Sequence, residues 1–310
     1  MRRKPMPLYS RFDNYNNYNE HEYDPYIITN GKLQIDETWW KSLTLSTQNI
    51  IKSKVSYELV DQINVPHTLC SPDPALTVVY WAYIESFDYQ CWYSPNLPNG
   101  PKNVILVKLD QLTKENLLAK KGGSVQHLKQ ELETICFGGI EYFVRLSGTS
   151  GKNEKSIRSF KKAEDIIKHL MDVEQFQTRE YKRDKDTYLV LIPWNENIDP
   201  RCEFRIFVVE GKITAASPQK FWELQQYSSE ELEAFQTAFD NIEFIGKVPY
   251  STFVADVYID IKTSICHLIE LNPFGAHSGA GSSFFNWIDD FNILYGLVPA
   301  EIRYLSAINY

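Results

Sequence analysis

Apolar residues recur at helical spacing in several stretches of the chain. In Ser159–Met171, apolar side chains fall on one face and polar side chains on the other, a pattern typical of an amphipathic helix. A serine followed by two glutamates opens another helix at Ser228, because the first turn of a helix favours both residue types. Helices are therefore predicted over Asp36–Gln62, Ser124–Ile135, Ser159–Met171, Ser228–Phe239 and Trp287–Tyr295.

Short apolar runs between turn residues predict the strands. Glu210-Gly211 separates two such runs by the two residues that favour a hairpin turn. Because hairpins alternate with helices, the pattern indicates an α+β fold and not a doubly wound parallel sheet. The predicted strands are Val104–Leu109, Glu141–Leu146, Thr187–Trp194, Glu203–Val209, Lys212–Ser217, Phe253–Asp260 and Ser264–Leu271.

Composition excludes several classes of function. The 310 residues carry a net charge of −8, whereas a protein that coats nucleic acid needs a basic surface. The longest apolar run, Val78–Ile84, is far shorter than the roughly 20 residues of a membrane span. The five cysteines are scattered without a Cys-x-x-Cys pair, which favours reduced thiols in a cytoplasmic protein. We therefore expect a cytoplasmic protein that binds neither DNA nor a membrane.

Three oxygen-bearing side chains stand near one another in the second predicted hairpin. Asp256 interrupts an otherwise apolar strand, and Glu270 and Asn272 occupy alternate positions on the next one. Alternate residues of a strand point to the same face, so the hairpin can bring all three side chains together. Carboxylate and amide oxygens suit Mg²⁺, which completes its coordination with water and phosphate. The alternative is that these residues only line a solvated face of the sheet.

Other segments suit the phosphates and the base of a nucleotide. Arg145 precedes a Gly/Ser loop that ends in Gly151 and Lys152, and such loops offer backbone N–H groups to anions. The P-loop pattern is absent, because Asn153 follows the lysine. Arg205 shares a strand face with Glu203, so it could bind phosphate or form a structural salt bridge. The apolar strand that begins at Thr187 could line a purine or lie in the core.

Taken in the order in which they occur along the chain, these segments resemble those of the ATP-grasp fold. More narrowly, they resemble those of the cell division cycle protein 123 (D123) family. The resemblance covers roughly residues 139–291, and the last three of its segments are the most specific. The matching segments are Tyr142–Asn153, Tyr188–Trp194, Glu203–Ser217, Phe253–Asp260 and Leu268–Gly275.

The resemblance implies an ATP-grasp-like α+β fold, with ATP and Mg²⁺ between two α+β subdomains. It also implies a role in assembling eukaryotic translation initiation factor 2 through its gamma subunit. By this resemblance, Asp256, Glu270 and Asn272 hold the metal. The expected ATP-binding residues are Arg145, Gly151, Lys152, Asn153, Tyr188, Val190, Leu191, Arg205 and Asp256.

The chain departs from the family pattern at four of these positions. Arg145 stands where the family usually has lysine, Gly151 where it has proline, and both Asn153 and Glu270 where it has aspartate. The resemblance also sets the domain organisation that we expect. Residues 1–30 form a loosely ordered N-terminus, residues 31–135 a region that faces the partner or substrate, and residues 136–310 the nucleotide-binding core.

Two classes of function remain open from the sequence. One is an ATP-binding assembly chaperone that has no catalytic role. The other is an ATP-grasp enzyme, either a carboxylate–amine ligase or a nucleotidyl or phosphoryl transferase, that acts on a protein or RNA. No catalytic residue can be assigned, although His277 lies beside the metal motif. A Ser-His-Asp or Cys-His hydrolase is disfavoured because the Gly-x-Ser-x-Gly motif is absent.

Overall fold

The computed structural model describes residues 26–29, 32–61, 74–136, 138–151, 159–182, 185–275, 280–287 and 289–306. The α-helices are α1 (Glu37–Ser42), α2 (Leu45–Lys54), α3 (Pro74–Glu85), α4 (Tyr89–Trp92), α5 (Gln111–Leu118), α6 (Gln126–Cys136), α7 (Ala163–Asp172), α8 (Ser229–Asp240) and α9 (Phe291–Leu294). The strands are β1 (Tyr26–Thr29), β2 (Lys32–Asp36), β3 (Tyr57–Val60), β4 (Ile105–Leu109), β5 (Tyr142–Leu146), β6 (Thr187–Pro193), β7 (Glu203–Val209), β8 (Lys212–Pro218), β9 (Phe253–Asp260), β10 (Ile265–Asn272) and β11 (Glu301–Ile302).

These strands form three sheets. An N-terminal sheet has the order β1-β2-β3, a middle sheet the order β4-β6-β5, and a five-stranded sheet the order β10-β9-β7-β8-β11. Neighbouring strands of the middle sheet are antiparallel, and β7, β8, β9 and β10 are also paired antiparallel. The mixture of mainly antiparallel sheets and packed helices is the α+β architecture that the sequence predicted.

The middle sheet packs against α5, α6 and α7. Fully buried residues from both layers, such as Leu117, Leu132, Ile166 and Leu191, share one hydrophobic cluster. Strand β4 belongs to this sheet because it pairs with β6. The structural unit that contains β5 and β6 therefore begins before residue 136, where the sequence analysis drew its boundary.

The five-stranded sheet contains both predicted hairpins. In the turn between β7 and β8, Glu210 and Gly211 have φ angles of 50° and 75°, the left-handed conformation that a tight hairpin turn requires. Helix α8 covers one face and begins with a capping box. The hydroxyl of Ser228 accepts from the N–H of Glu231, and the Glu231 carboxylate accepts from the N–H of Ser228.

The predicted helix over Asp36–Gln62 is wrong as one continuous helix and wrong beyond Lys54. It is interrupted at Thr44, whose hydroxyl accepts a hydrogen bond from Thr47 N and caps a separate helix, α2. The next residues form β3 instead, because they pair in parallel with β2. Pairing with a strand distant in sequence has overridden the local helical spacing.

Two further expectations are corrected by the structure. The helix expected over Trp287–Tyr295 is reduced to α9, a single turn over Phe291–Leu294. Residues Tyr26–Thr29 form β1, although the sequence predicted a loosely ordered N-terminus, and the first 25 residues lie outside the described part. Within that part, no helix is long and apolar enough to cross a membrane.

Candidate functional site

Three charged side chains lie in register across adjacent strands of the five-stranded sheet. Arg205 on β7 is opposite Asp256 on β9, and Asp256 is opposite Glu270 on β10. Directly opposite residues in antiparallel strands project to the same face. The sheet therefore brings Asp256 and Glu270 together, as the alternating pattern predicted.

A β-bulge in β10 places Glu270 on this face. Leu268 pairs with Val257 and Glu270 with Asp256, so Ile269 is an extra residue in the register. In a regular strand without the bulge, Ile269 would lie opposite Asp256, and Glu270 would point to the other face of the sheet. The N–H of Leu268 donates to the carbonyl of Asn99 at 2.9 Å, so the N-terminal region contacts the strand at the bulge.

Asp256 and Arg205 form a two-bonded ion pair. Nε of Arg205 lies 2.8 Å from Oδ1 of Asp256, and Nη2 lies 3.0 Å from Oδ2. The remaining nitrogen, Nη1, donates to the carbonyl of Gly281 at 2.8 Å. Burial opposes the charged form of Arg205, but the carboxylates of Asp256 and Glu270 together outweigh burial and raise the pKa of the guanidinium. The sequence had suggested Glu203 as a salt-bridge partner, and the facing carboxylate is Asp256.

Glu270 pairs with an arginine from a different sheet. Nη2 of Arg145, on β5, lies 2.8 Å from Oε1 of Glu270. Nε of Arg145 also donates to the carbonyl of Leu146 at 3.2 Å. The Tyr89 ring lies 5.6 Å from the guanidinium carbon, which adds a cation–π contact. The middle and five-stranded sheets are therefore joined by a largely buried ion pair.

Arg145, Glu270, Asp256 and Arg205 form what we call the charged row. Each of its two carboxylates contacts one guanidinium, and its formal charge is zero. All four side chains are less than one-fifth exposed. The charges are balanced within the protein, so the row needs no bound ion in order to fold.

Two buried polar groups beside the charged row have no hydrogen-bond partner among the described residues. They are the Nδ2 amide of Asn272 and the hydroxyl of Tyr89. Burial raises the pKa of the Tyr89 phenol, so it remains a neutral donor. Buried donors are normally satisfied, and a ligand that carries acceptor oxygens would satisfy both.

The donor set fits Mg²⁺ more closely than a transition metal. No group of three or more His, Cys, Asp or Glu side chains is placed to hold a metal in the described ranges. Two carboxylates and the amide oxygen of Asn272 remain, and these hard oxygens suit Mg²⁺ with the rest of its coordination left to water and phosphate. The residues predicted as ligands thus fit the metal in chemistry.

The Gly/Ser loop after β5 is packed tightly against the protein. Gly151 has a φ angle of 58°, and a Cβ atom there would overlap the ring of Phe176. A Cβ atom on Gly148 would approach Asp88 Oδ1 to 2.6 Å and Glu180 Oε1 to 2.7 Å. Glycine is needed at both positions, because neighbouring side chains lie too close to the backbone to leave room for a Cβ atom. Lys152, Asn153 and His277, which the sequence singled out, lie outside the described residues.

A buried cluster of three charges, which sequence analysis did not identify, lies beneath this loop. Nζ of Lys185 is 2.7 Å from Oδ2 of Asp88 and 3.2 Å from Oε2 of Glu180. The two carboxylates are 3% and 2% exposed. The sequence gives only a weak indication of a structural role for Asp88, which directly precedes helix α4. Nothing in the sequence around Glu180 or Lys185 indicates that these two side chains form an ion pair.

The predicted base-binding residues of β6 divide between the two faces of the sheet. Tyr188 and Val190 alternate onto the face that carries Arg145, and Val190 is directly opposite Arg145. Leu191 points the other way, into the core with α6 and α7. Tyr188 also fixes the Gly/Ser loop, because its carbonyl accepts from Ser147 N and its N–H donates to Ser147 Oγ.

The region that contains the motifs is similar to a known protein family. The sequence profile of the D123 family matches residues 150–292. Cell division cycle protein 123 of Candida glabrata is 32% identical over 123 residues, which cover 39% of this chain and 32% of that protein. The translation initiation factor eIF2 assembly protein of Lodderomyces elongisporus is 30% identical over 137 residues, 40% of this chain and 35% of that protein. The matches thus span about a third of the length of these yeast relatives.

Two matches extend over most of the chain. A CDC123-like protein of Acanthamoeba polyphaga mimivirus is 25% identical over 297 residues, 85% of this chain and 87% of that protein. The structure of Cdc123 from Schizosaccharomyces pombe superposes with a TM-score of 0.56 at 19% identity, and covers 73% of this chain and 97% of that one. The ATP-grasp-like α+β fold predicted from the sequence is therefore confirmed.

Proposed function

We propose that this chain is a divergent member of the D123 family, that it binds ATP with Mg²⁺, and that it acts as an assembly factor for translation initiation factor 2. The observation that carries the nucleotide proposal is the charged row with the unsatisfied Asn272 amide and Tyr89 hydroxyl beside it. The assembly proposal is supported by the name of the Lodderomyces elongisporus relative.

Within this proposal, the arginines bind the triphosphate. Arg145 and Arg205 project from different sheets toward the same pair of carboxylates, so a ligand between them would meet positive charge from two directions. A guanidinium forms paired hydrogen bonds to phosphate oxygens. The Tyr89 hydroxyl, which is buried at the same place, would donate a further hydrogen bond.

Asp256, Glu270 and Asn272 would hold the metal. When bound, Mg²⁺ would neutralise part of the charge of the triphosphate. Tyr188 would provide an apolar contact for the base, because it lies on the same face as Arg145 and is partly exposed, whereas Val190 is fully buried in the core. The packed glycines of the loop after β5 would keep its backbone close to the phosphates.

We propose the gamma subunit of initiation factor 2 as the direct partner, and the cytoplasm as the location. Both follow from the family and from the relatives named as initiation factor assembly proteins. The family resemblance begins near residue 139, so the preceding region is the one that we expect to face the partner. An ATP-grasp enzyme would require turnover of ATP in addition to binding.

The test combines nucleotide titration with capture of the partner. Calorimetric titration of ATP-Mg²⁺ should give saturable binding in the wild type and much weaker binding in Arg205→Gln. Arg201→Gln is the matched control, because Arg201 is an exposed arginine that pairs with Asp199 and Glu231 at the surface. Absence of ATP-Mg²⁺ binding by folded wild-type protein would refute the nucleotide proposal.

The partner is tested with the isolated initiation factor 2 subunits. The immobilised protein should retain the gamma subunit and should retain neither alpha nor beta when they are offered alone. Failure to retain gamma would refute the assembly proposal. ATP hydrolysis that depends on an added protein or RNA would favour the enzyme class instead.

A further inference from the structure

Both carboxylates proposed to bind Mg²⁺ already have a positive partner inside the protein. Asp256 accepts two hydrogen bonds from Arg205, and Glu270 is 2.8 Å from Arg145. The two guanidinium groups therefore occupy the positions of counter-ions in the ligand-free protein. A divalent cation that arrives alone would meet a neutral cluster with two fixed positive charges beside it.

Electrostatics in such a site oppose the free metal. Like charges a few ångströms apart repel strongly where the effective dielectric constant is well below that of water. Each arginine would therefore repel a cation bound to the neighbouring carboxylate, and would also compete for its oxygens. A metal that arrives with a triphosphate brings the acceptor oxygens to which the guanidinium groups can transfer their hydrogen bonds.

The backbone contacts of both arginines suit this exchange. Arg205 also donates to the carbonyl of Gly281, and Arg145 also donates to the carbonyl of Leu146. These bonds do not involve the carboxylates, so each guanidinium can remain at the site when its carboxylate is released.

We propose that Arg145 and Arg205 are internal counter-ions that suppress binding of Mg²⁺ to the nucleotide-free protein, so that the metal is accepted only together with the triphosphate. This inference rests on the proposed function of the site and adds an order of binding to it. It also assigns the two arginines a second role: they keep the metal ligands neutralised until nucleotide arrives.

The experiment measures metal binding in the absence of nucleotide. Mn²⁺ serves as a paramagnetic substitute for Mg²⁺, and its free concentration is followed by electron paramagnetic resonance. The wild type should bind Mn²⁺ weakly. Arg205→Gln and Arg145→Gln should each bind Mn²⁺ at least about tenfold more tightly, because each leaves one carboxylate without its counter-ion. The same variants should bind ATP-Mg²⁺ more weakly than the wild type.

Three controls make the result specific. Arg201→Gln removes an exposed arginine and should leave Mn²⁺ affinity unchanged. Arg205→Lys retains the positive charge and should remain close to the wild type. The double variant Arg205→Gln, Asp256→Asn should lose the increase in Mn²⁺ affinity, because it also lacks the carboxylate that the first substitution leaves without a counter-ion. A melting curve for each variant establishes that it is folded.

The inference is overturned if folded Arg205→Gln and Arg145→Gln bind Mn²⁺ no more tightly than the wild type. Tight Mn²⁺ binding by nucleotide-free wild-type protein would also overturn it, and this measurement needs no variant. Failure of the proposed function is a separate outcome: wild-type protein would then not bind ATP-Mg²⁺, whatever the arginine variants do with Mn²⁺ alone.

Discussion

The hydroxyl of Tyr83 is hydrogen-bonded to both backbone groups of Phe274. It donates to the carbonyl at 3.0 Å and accepts from the N–H at 2.9 Å, although the two residues are 191 positions apart in the chain. Phe274 follows the strand that carries Glu270 and Asn272. Helix α3 in the N-terminal region therefore fixes the end of the strand that supplies two of the proposed metal ligands.

Substitution Tyr83→Phe should destabilise the protein by about 2 kcal/mol, because it leaves the buried N–H of Phe274 without its partner. Denaturant unfolding monitored by fluorescence measures this change. Tyr258→Phe is the control, since the Tyr258 hydroxyl makes an exposed, 3.3 Å hydrogen bond, and its loss should have little effect. Equal effects of the two substitutions would contradict a special role for Tyr83.

Substitution Asp256→Asn should lower the stability of the ligand-free protein by about 3 kcal/mol, because it breaks the pair with Arg205 and leaves a buried cation unpaired. It should also weaken binding of ATP-Mg²⁺. Urea unfolding and calorimetric titration measure the two effects separately. Glu270→Gln should act in the same direction on both. If neither variant changes the affinity, the hairpin is scaffold and the metal assignment is wrong.

Substitution Lys185→Met should destabilise the protein by about 3 to 5 kcal/mol at neutral pH, because two buried carboxylates lose the ammonium between them. Denaturant unfolding at pH 7 measures this loss. Lys108→Met disrupts an exposed pair with Asp186 and should cost less than about 1 kcal/mol. A loss as small for Lys185→Met would show that the buried cluster is not stabilising.

His267 should lower the stability of the folded protein in mild acid. Burial lowers the pKa of its imidazole in the folded protein, against a smaller opposing effect of Asp260. A lowered pKa in the folded state means that the unfolded chain binds the proton first, so stability falls as pH decreases from about 7 toward about 5. The stability of His267→Gln should fall less over this range. A parallel pH profile for both proteins would exclude this histidine as a cause.

The local chemistry of the sequence determined the elements around the site. Hairpin residues at Glu210-Gly211 and the serine cap at Ser228 act within a few positions, and the structure confirms both. The alternation of Glu270 with Asn272 was also enough to predict that these two side chains share a face. Such patterns can be interpreted from the sequence because successive side chains of a strand always point to opposite faces.

Only the tertiary structure decided what those side chains contact. The bulge at Ile269 sets which face Glu270 occupies, and it changes the register by one residue in a way that the alternating pattern does not specify. Pairing of Arg205 with Asp256, and of Arg145 with Glu270, joins residues from separate strands and, in the second pair, separate sheets. Such contacts depend on the packing of distant segments, whose energies are summed over the whole fold and leave no local signal in the sequence.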